Sequence, residues 1–227
     1  MRKLLEVIVT SVEDAIEAEA GGADRLELVR DLANGGLTPP FEIATRVLET
    51  IKIPVRIMLR ERADMLSGDT AQLQNLQRTA ARLMQLPVDG LVVGFVDGGI
   101  LEKTAISAIA DVAPGCRFTF HRAFDELADP LTGLEALKAI PQIDRVLTIG
   151  GKGAWAERKA RLVAWQRAAG KSITLLVGAG LSPDVLADLA VTPELREVHF
   201  GRAARRDHSA DAPVQRDAVR TLRNKLK

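Results

Sequence analysis

The chain has 227 residues, 47% of them hydrophobic and 27% charged, with 31 Lys and Arg against 30 Asp and Glu and a formal net charge of +1. So even a balance excludes the charge footprint of a nucleic-acid or membrane-surface binder, and the expected partners include neither nucleic acid nor membrane. One cysteine, Cys116, excludes an internal disulfide and fits a reducing, cytoplasmic compartment.

At the N-terminus Arg2 and Lys3 precede Leu4, Leu5, Val7, Ile8 and Val9, but Glu6 interrupts this run and Glu13 and Asp14 stop it. It is too short for a secretory signal and far too short to span a bilayer, and it reads instead as the first of eight strands. The runs are Leu4 to Val9, Arg25 to Val29, Val55 to Leu59, Gly90 to Phe95, Arg117 to His121, Arg145 to Thr148, Ile173 to Val177 and Glu197 to Phe200. Each but the last is followed by a stretch with helical apolar spacing, and the last by a basic helical tail. Helix starts are marked by Ser11 with Asp14 three residues on, by Asp129-Pro130 and by Ser182-Pro183. Strict alternation argues for a parallel sheet. Eight units of about 28 residues argue for a single-domain α/β fold, a (β/α)8 TIM-type barrel over residues 1–227, rather than an open doubly wound sheet.

Alternate residues of a barrel strand point to the axis and to the helices. If the apolar set faces outward, Leu4, Glu6 and Ile8 face inward from the first strand, and Arg25, Glu27 and Val29 from the second. Arg56, Met58 and Arg60 face inward from the third, Thr119 and His121 from the fifth, and Glu197 and His199 from the eighth. Val, Ile and Leu normally fill that space. A buried unpaired carboxylate costs several kcal/mol, so Glu6 and Glu27 are expected to be matched by Arg60, Arg25, a histidine or a metal ion. A purely structural ion-pair network at the barrel bottom, with no chemistry attached, is the alternative. His121 closes its strand at the carboxyl end, where barrel enzymes place their reactive groups, and Arg122 and Asp125 follow it.

Gly178-Ala179-Gly180 after the seventh run and Gly201-Arg202 after the eighth occupy the two loops where such barrels hold a phosphate. Gly178, Gly180, Gly201 and Arg202 are therefore the expected anion-binding set, with Arg205 and Arg206 nearby. Loops Arg30 to Pro40 and Glu61 to Gly68 are candidates for the mouth, as is Gly150 to Gly153 with Lys152 reaching inward. Trp155 and Trp165 are spaced for core contact or a subunit interface.

The chain resembles the CutC family, often called copper homeostasis proteins, along nearly its full length. The resemblance rests on Leu5-Glu6-Val7, Gly22 to Leu28, Gly35-Gly36-Leu37-Thr38-Pro39, Phe118 to Asp125, Arg145 to Thr148, Gly178-Ala179-Gly180 and Glu197-Val198-His199. It implies a (β/α)8 barrel, a homodimer or homotetramer, and a link to copper. The family's arginine-proline-arginine-glycine-glycine-aspartate loop stands here as Arg60-Glu61-Arg62-Ala63-Asp64, and the serine after Thr148 is replaced by Ile149.

Cu(I) prefers thiolate and thioether ligands. Cys116, five residues before His121, lies about 16 Å from it along a strand, which disfavours a shared copper site within one subunit and leaves only Met58 and Met65 with His121 as a soft set. The cup of carboxylates, arginines and imidazoles points rather to an enzyme acting on a small anionic molecule by proton transfer next to a carbonyl. Glu6 or Glu27 would be the base, His121 the acid or shuttle, and Arg60 or Arg122 the oxyanion stabiliser, with Asp125 beside them. The cofactor is open between a divalent metal and copper, with His121 and His199 as candidate ligands, and a hard ion gripped by Glu6, Glu27 and His121 is one variant. A non-enzymatic copper-binding protein is the alternative.

Overall fold

Each of the eight runs forms a strand in the computed structural model, which describes residues 2–178, 181 and 183–227, the side chains of residues 183 and 184 aside. The strands are β1 (Leu4–Val9), β2 (Arg25–Leu28), β3 (Val55–Met58), β4 (Gly90–Val93), β5 (Phe118–Phe120), β6 (Ile143–Thr148), β7 (Thr174–Val177) and β8 (Glu197–Phe200). They pair in parallel and in chain order, and β8 returns to β1 with Leu4 opposite Glu197, which closes a (β/α)8 barrel. The surrounding helices are α1 (Val12–Gly21), α2 (Phe41–Thr50), α3 (Thr70–Leu83), α4 (Lys103–Val112), α5 (Pro130–Lys138), α6 (Trp155–Ala169), α7 (Pro183–Ala190) and α8 (Arg216–Lys225). Among the described residues, no helix is long and apolar enough to cross a membrane.

The helix signals act locally as their chemistry requires, with one change. Ser11 caps α1 by accepting from Asp14 N, but the Asp14 carboxylate reaches past the cap to accept from Thr10 N (3.0 Å) and Val214 N (2.8 Å). It also pairs with the buried Arg205, so it ties the start of α1 to the loop after β8 instead of completing a capping box. Asp129 caps α5 ahead of Pro130 at its first turn. The serine of Ser182-Pro183 lies outside the described residues, and α7 begins at Pro183. One element has no signal in the eightfold pattern, a hairpin of Val96–Asp97 with Ile100–Leu101 turning through Gly98 and Gly99.

Two apolar populations confirm the facing of the strands. Leu5, Val7, Leu26, Leu28, Ile57, Phe118, Phe120 and Val198 belong to the annulus between barrel and helices, each fully buried. Trp165 joins it edge-on to Phe124, and Trp155 donates to Asp188 of α7, so both tryptophans serve helix packing. Inside the barrel a separate, smaller apolar cluster holds Ile8, Val29, Met58 and Val92. At about 1.5–3 kcal/mol per buried side chain, the annulus carries most of the hydrophobic stabilisation, and polar groups share the axis with this small cluster.

β5 and β6 are out of step at one point: Phe118 opposes Ile143, yet Thr119 opposes Arg145. The extra residue is Asp144. A bulge of this kind re-aims a side chain, and here both Asp144 and Arg145 reach the barrel floor.

Candidate active site

The floor is a lattice of ions built from the amino-terminal ends of the strands. Arg25 bonds Glu6 and Glu197, the latter at 2.7 Å, and Arg145 holds Glu197 with two donors at 2.8 and 3.1 Å. Arg145 also meets Asp144, which receives two parallel bonds from Arg56 at 2.7 and 2.8 Å, while Arg56 further donates to Asp89 and Thr119. Each charge of this floor lattice is thus answered by one or two of opposite sign. The ion-pair network expected at the bottom is present, and Glu6 belongs to it.

Above the floor, at the carboxyl ends of the strands, opens a cavity of about 620 Å³. Glu27, Met58, Arg60, His121, Arg122, His199, Gly201 and Arg202 are among its walls, with Ile8, Leu147, Ile149 and Phe200 supplying apolar surface. Leu32, Ala33 and Gly35 of the loop after β2 and Met65 of the loop after β3 also face it, as those loops were expected to. So does His208 of the loop after β8, which pattern reading did not single out. Met65 (φ 61°) and His208 (φ 53°) hold left-handed backbone, a costly conformation for such side chains that recurs at ligand sites.

Glu27 is the group on which the site turns. It is 2% exposed, its Oε2 has no hydrogen-bond partner, and no cation pairs with it among the described residues. The expected matching partner is therefore missing. Burial pushes its carboxyl up to about 7, the Glu6 charge adds to the rise, and His199, Arg25 and Arg60 oppose it. Glu6 behaves oppositely: burial would raise it, but Arg25 and His199 hold it far below the usual carboxylate range. Glu6 Oε1 accepts from His199 Nδ1 at 2.7 Å, which fixes the ring and turns Nε2 away from the floor. Burial pulls His199 down, yet Glu27 and Glu6 outweigh it and raise its affinity for a proton. Glu27 and His199 thus form a couple facing the cavity, and Glu6 anchors it from below without lining the cavity itself.

His121 is held differently. Its Nδ1 accepts from Ala123 N at 3.1 Å, so the neutral ring carries its hydrogen on Nε2, which is buried without a partner. Burial, with Arg60 and Arg122 nearby, brings its pKa down to about 3. Gly94 makes room for the ring, because a Cβ there would stand 2.6 Å from Nδ1. A histidine whose Nδ1 already accepts is a poor metal ligand through Nε2, and the neutral ring is no proton shuttle near pH 7.

The contacts alter several expected roles. Arg60 lines the cavity, but its guanidinium is engaged by the carbonyls of Arg62, Gly35, Asn34 and Ala63, so it clasps the two mouth loops together rather than meeting Glu27. Asp125 accepts from Thr148 Oγ1 (2.5 Å) and Ile149 N, so it positions the loop after β6 and lies outside the cavity wall. Gly178 spends its N–H on Thr148 O and packs against His199, where a Cβ would stand 3.0 Å from His199 Cβ; it offers no N–H to an anion. Gly180 lies outside the described residues. Gly201 and Arg202 do line the cavity, and Arg122 and Arg202 are its exposed cations. Arg205 is committed to Asp14, Arg206 is exposed with Asp207 3.9 Å away, and Lys152 is exposed and does not line the cavity. Asp144, invisible to the run pattern, joins the floor through its bulge.

A metal ion finds two ligands facing the cavity, Glu27 and His199, whose donor atoms lie with one from Glu6 within 4.8 Å of one another. Both oxygens of Glu6 are already engaged by Arg25 and His199. The donors do not fit a thiolate copper centre. Cys116 sits at the opposite end of the barrel beside Asp144, its thiol donates to Arg117 O, and burial pushes its pKa up to about 11. Its labelling by a disulfide reagent at pH 7.5 is expected to be at least about tenfold slower in the native protein than in urea, since only the thiolate reacts; equal rates would place the thiol at the surface.

A model of the CutC family matches residues 3–204. The chain is 36% identical over 196 residues to a family protein CutC of Xanthomonas campestris pv. campestris (strain B100), a match covering 86% of this chain and 81% of that protein. It is 35% identical over 208 residues to the copper homeostasis protein cutC homolog of Homo sapiens, covering 90% and 75% of the two. A solved CutC structure from Streptococcus agalactiae superposes with a TM-score of 0.79 at 24% identity, over 88% of this chain and 98% of that one. Phosphoribosyl anthranilate isomerase from Thermococcus kodakaraensis superposes at 0.61 with 14% identity over 99% of both, a likeness of fold alone.

Proposed function

The chain belongs to the CutC family, and from the geometry of its cup we propose that it is an enzyme that moves a proton on carbon next to a carbonyl of a small carboxylated or phosphorylated substrate. The observation that carries this reading is Glu27, an unpaired buried carboxylate whose pKa lies near 7 beside an imidazole that Glu6 orients. A base with its pKa near the working pH combines the right protonation state with driving force for transfer. Arg122 and Arg202 at the mouth supply positive charge for the substrate's anionic group, and Ile8, Leu147, Ile149 and Phe200 give the cavity apolar surface for the carbon skeleton. The copper reading suggested by the name of the Homo sapiens relative lacks a thiolate ligand in the cup, since Cys116 lies at the other end of the barrel.

The test is deuterium uptake from D2O into a panel of 2-oxo acids, 2-hydroxy acids and sugar phosphates, followed by proton NMR with and without the protein. Protein-dependent exchange at the carbon next to the carbonyl is expected, and Glu27→Gln should slow it about 10²–10⁴-fold, the range for loss of a general base. Exchange that survives unchanged in Glu27→Gln rejects the assignment.

A further inference from the structure

We propose that His121 holds the carbonyl oxygen of the substrate through Nε2–H, so that the cup takes compounds whose oxygen becomes an enolate. The inference rests on the proton-transfer reading and assigns the oxygen end of it. Three observations converge. The hydrogen on Nε2 is dictated by the backbone, because Ala123 N–H occupies Nδ1. That Nε2 is buried with no partner in the fold, which is costly unless a ligand supplies one. The ring lines the same cavity as Glu27; of the two arginines expected in this task, Arg60 is engaged by backbone carbonyls, and Arg122 is exposed at the mouth with its guanidinium 3.7 Å from Asp125.

A neutral imidazole is the better donor for this purpose. Its N–H is closer in acidity to an enol than an imidazolium is, and it stabilises the developing oxyanion without giving up its hydrogen. The step balances within these groups: Glu27 takes the proton from carbon, the C–H electron pair becomes the carbon–carbon double bond, the carbonyl pair moves to oxygen, and the Nε2–H bond to that oxygen strengthens. Returning the proton to carbon reverses each change.

The test uses the whole protein with histidine labelled in ¹⁵N, and oxalate, a planar dianion with the oxygen arrangement of a two-carbon enolate, as the probe. Long-range proton–nitrogen correlation should show His121 with hydrogen on Nε2 and none on Nδ1 from pH 5 to 9, and oxalate should move the Nε2–H resonance. His121→Gln, which keeps an N–H donor but cannot take up a proton, should retain exchange and oxalate affinity within about tenfold, whereas His121→Ala should lose about 100-fold. Hydrogen on Nδ1, protonation of His121 between pH 5 and 8, an Nε2–H signal indifferent to bound oxalate, or equal loss in the Gln and Ala variants would overturn the proposal. If the tautomer and oxalate response are as stated but no carbonyl compound exchanges, it is the proton-transfer reading that fails.

Discussion

Replacing Glu27 by glutamine should make the protein more stable at pH 8 and leave it unchanged at pH 4. The carboxyl ionises near 4.5 in an ordinary setting and near 7 in the fold. Below pH 4.5 it is protonated in both states and contributes no difference. Between 4.5 and 7 the unfolded chain releases the proton while the fold still holds it, so stability falls as pH rises, and above 7 the full penalty of a buried charge is present. A shift of this size corresponds to about 3 kcal/mol. The carboxamide keeps an unsatisfied polar group, and His199 loses a charge that favours its protonated form, so a net gain of about 2 kcal/mol is expected at pH 8. For a chain of this length that raises the melting temperature by roughly 4–8 °C. Thermal unfolding of both proteins at pH 4, 6 and 8 checks it: a lower melting temperature at pH 8, or an equal gain at all three, would show that Glu27 is not held as an unpaired carboxylate.

The opposite outcome is expected at Arg25. Arg25→Met removes the one residue that answers both Glu6 and Glu197, which are 0% and 7% exposed. Breaking a buried pair from one side strands the other charge, at a cost of about 3–5 kcal/mol, or roughly 10 °C in melting temperature. Glu197 retains Arg145, whereas Glu6 keeps only His199, so the damage concentrates on the anchor of the Glu27–His199 couple. Adding Glu6→Gln to Arg25→Met should therefore recover at least about 1 kcal/mol in urea unfolding, a coupling that independent sites would not show. A loss below about 1 kcal/mol in the single variant would mean that the floor lattice contributes little to stability.

Most of the barrel was legible in the chain because the period of strand and helix and the alternation within strands are local signals. The inward set Glu6, Arg25, Glu27, Arg56, Met58, His121, Glu197 and His199 follows from alternation alone. Which of these groups meet does not, because partners are fixed by the stagger of strands around the ring: Arg25 meets Glu6 and leaves Glu27 without a mate. Asp144 was hidden because a bulge breaks the alternation that makes other residues readable. The tautomer of His121 depends on one backbone N–H, and the loss of Gly178 as an anion donor on one ladder bond to Thr148; neither leaves a trace in residue type.

The ring closes through its most distant parts. Leu4 pairs with Glu197, Arg223 of α8 reaches the carbonyls of Lys3 and Gly22, and Asp14 holds Val214 N. During synthesis the first strand therefore waits for almost the whole chain before its outer edge is covered, and the contacts that seal it span the longest loops in the molecule. Such contacts are entropically the most expensive to form and come late. The Glu6–His199 bond bridges this same seam, so a chain whose seam is open has an uncovered strand edge and lacks the contact that anchors the couple.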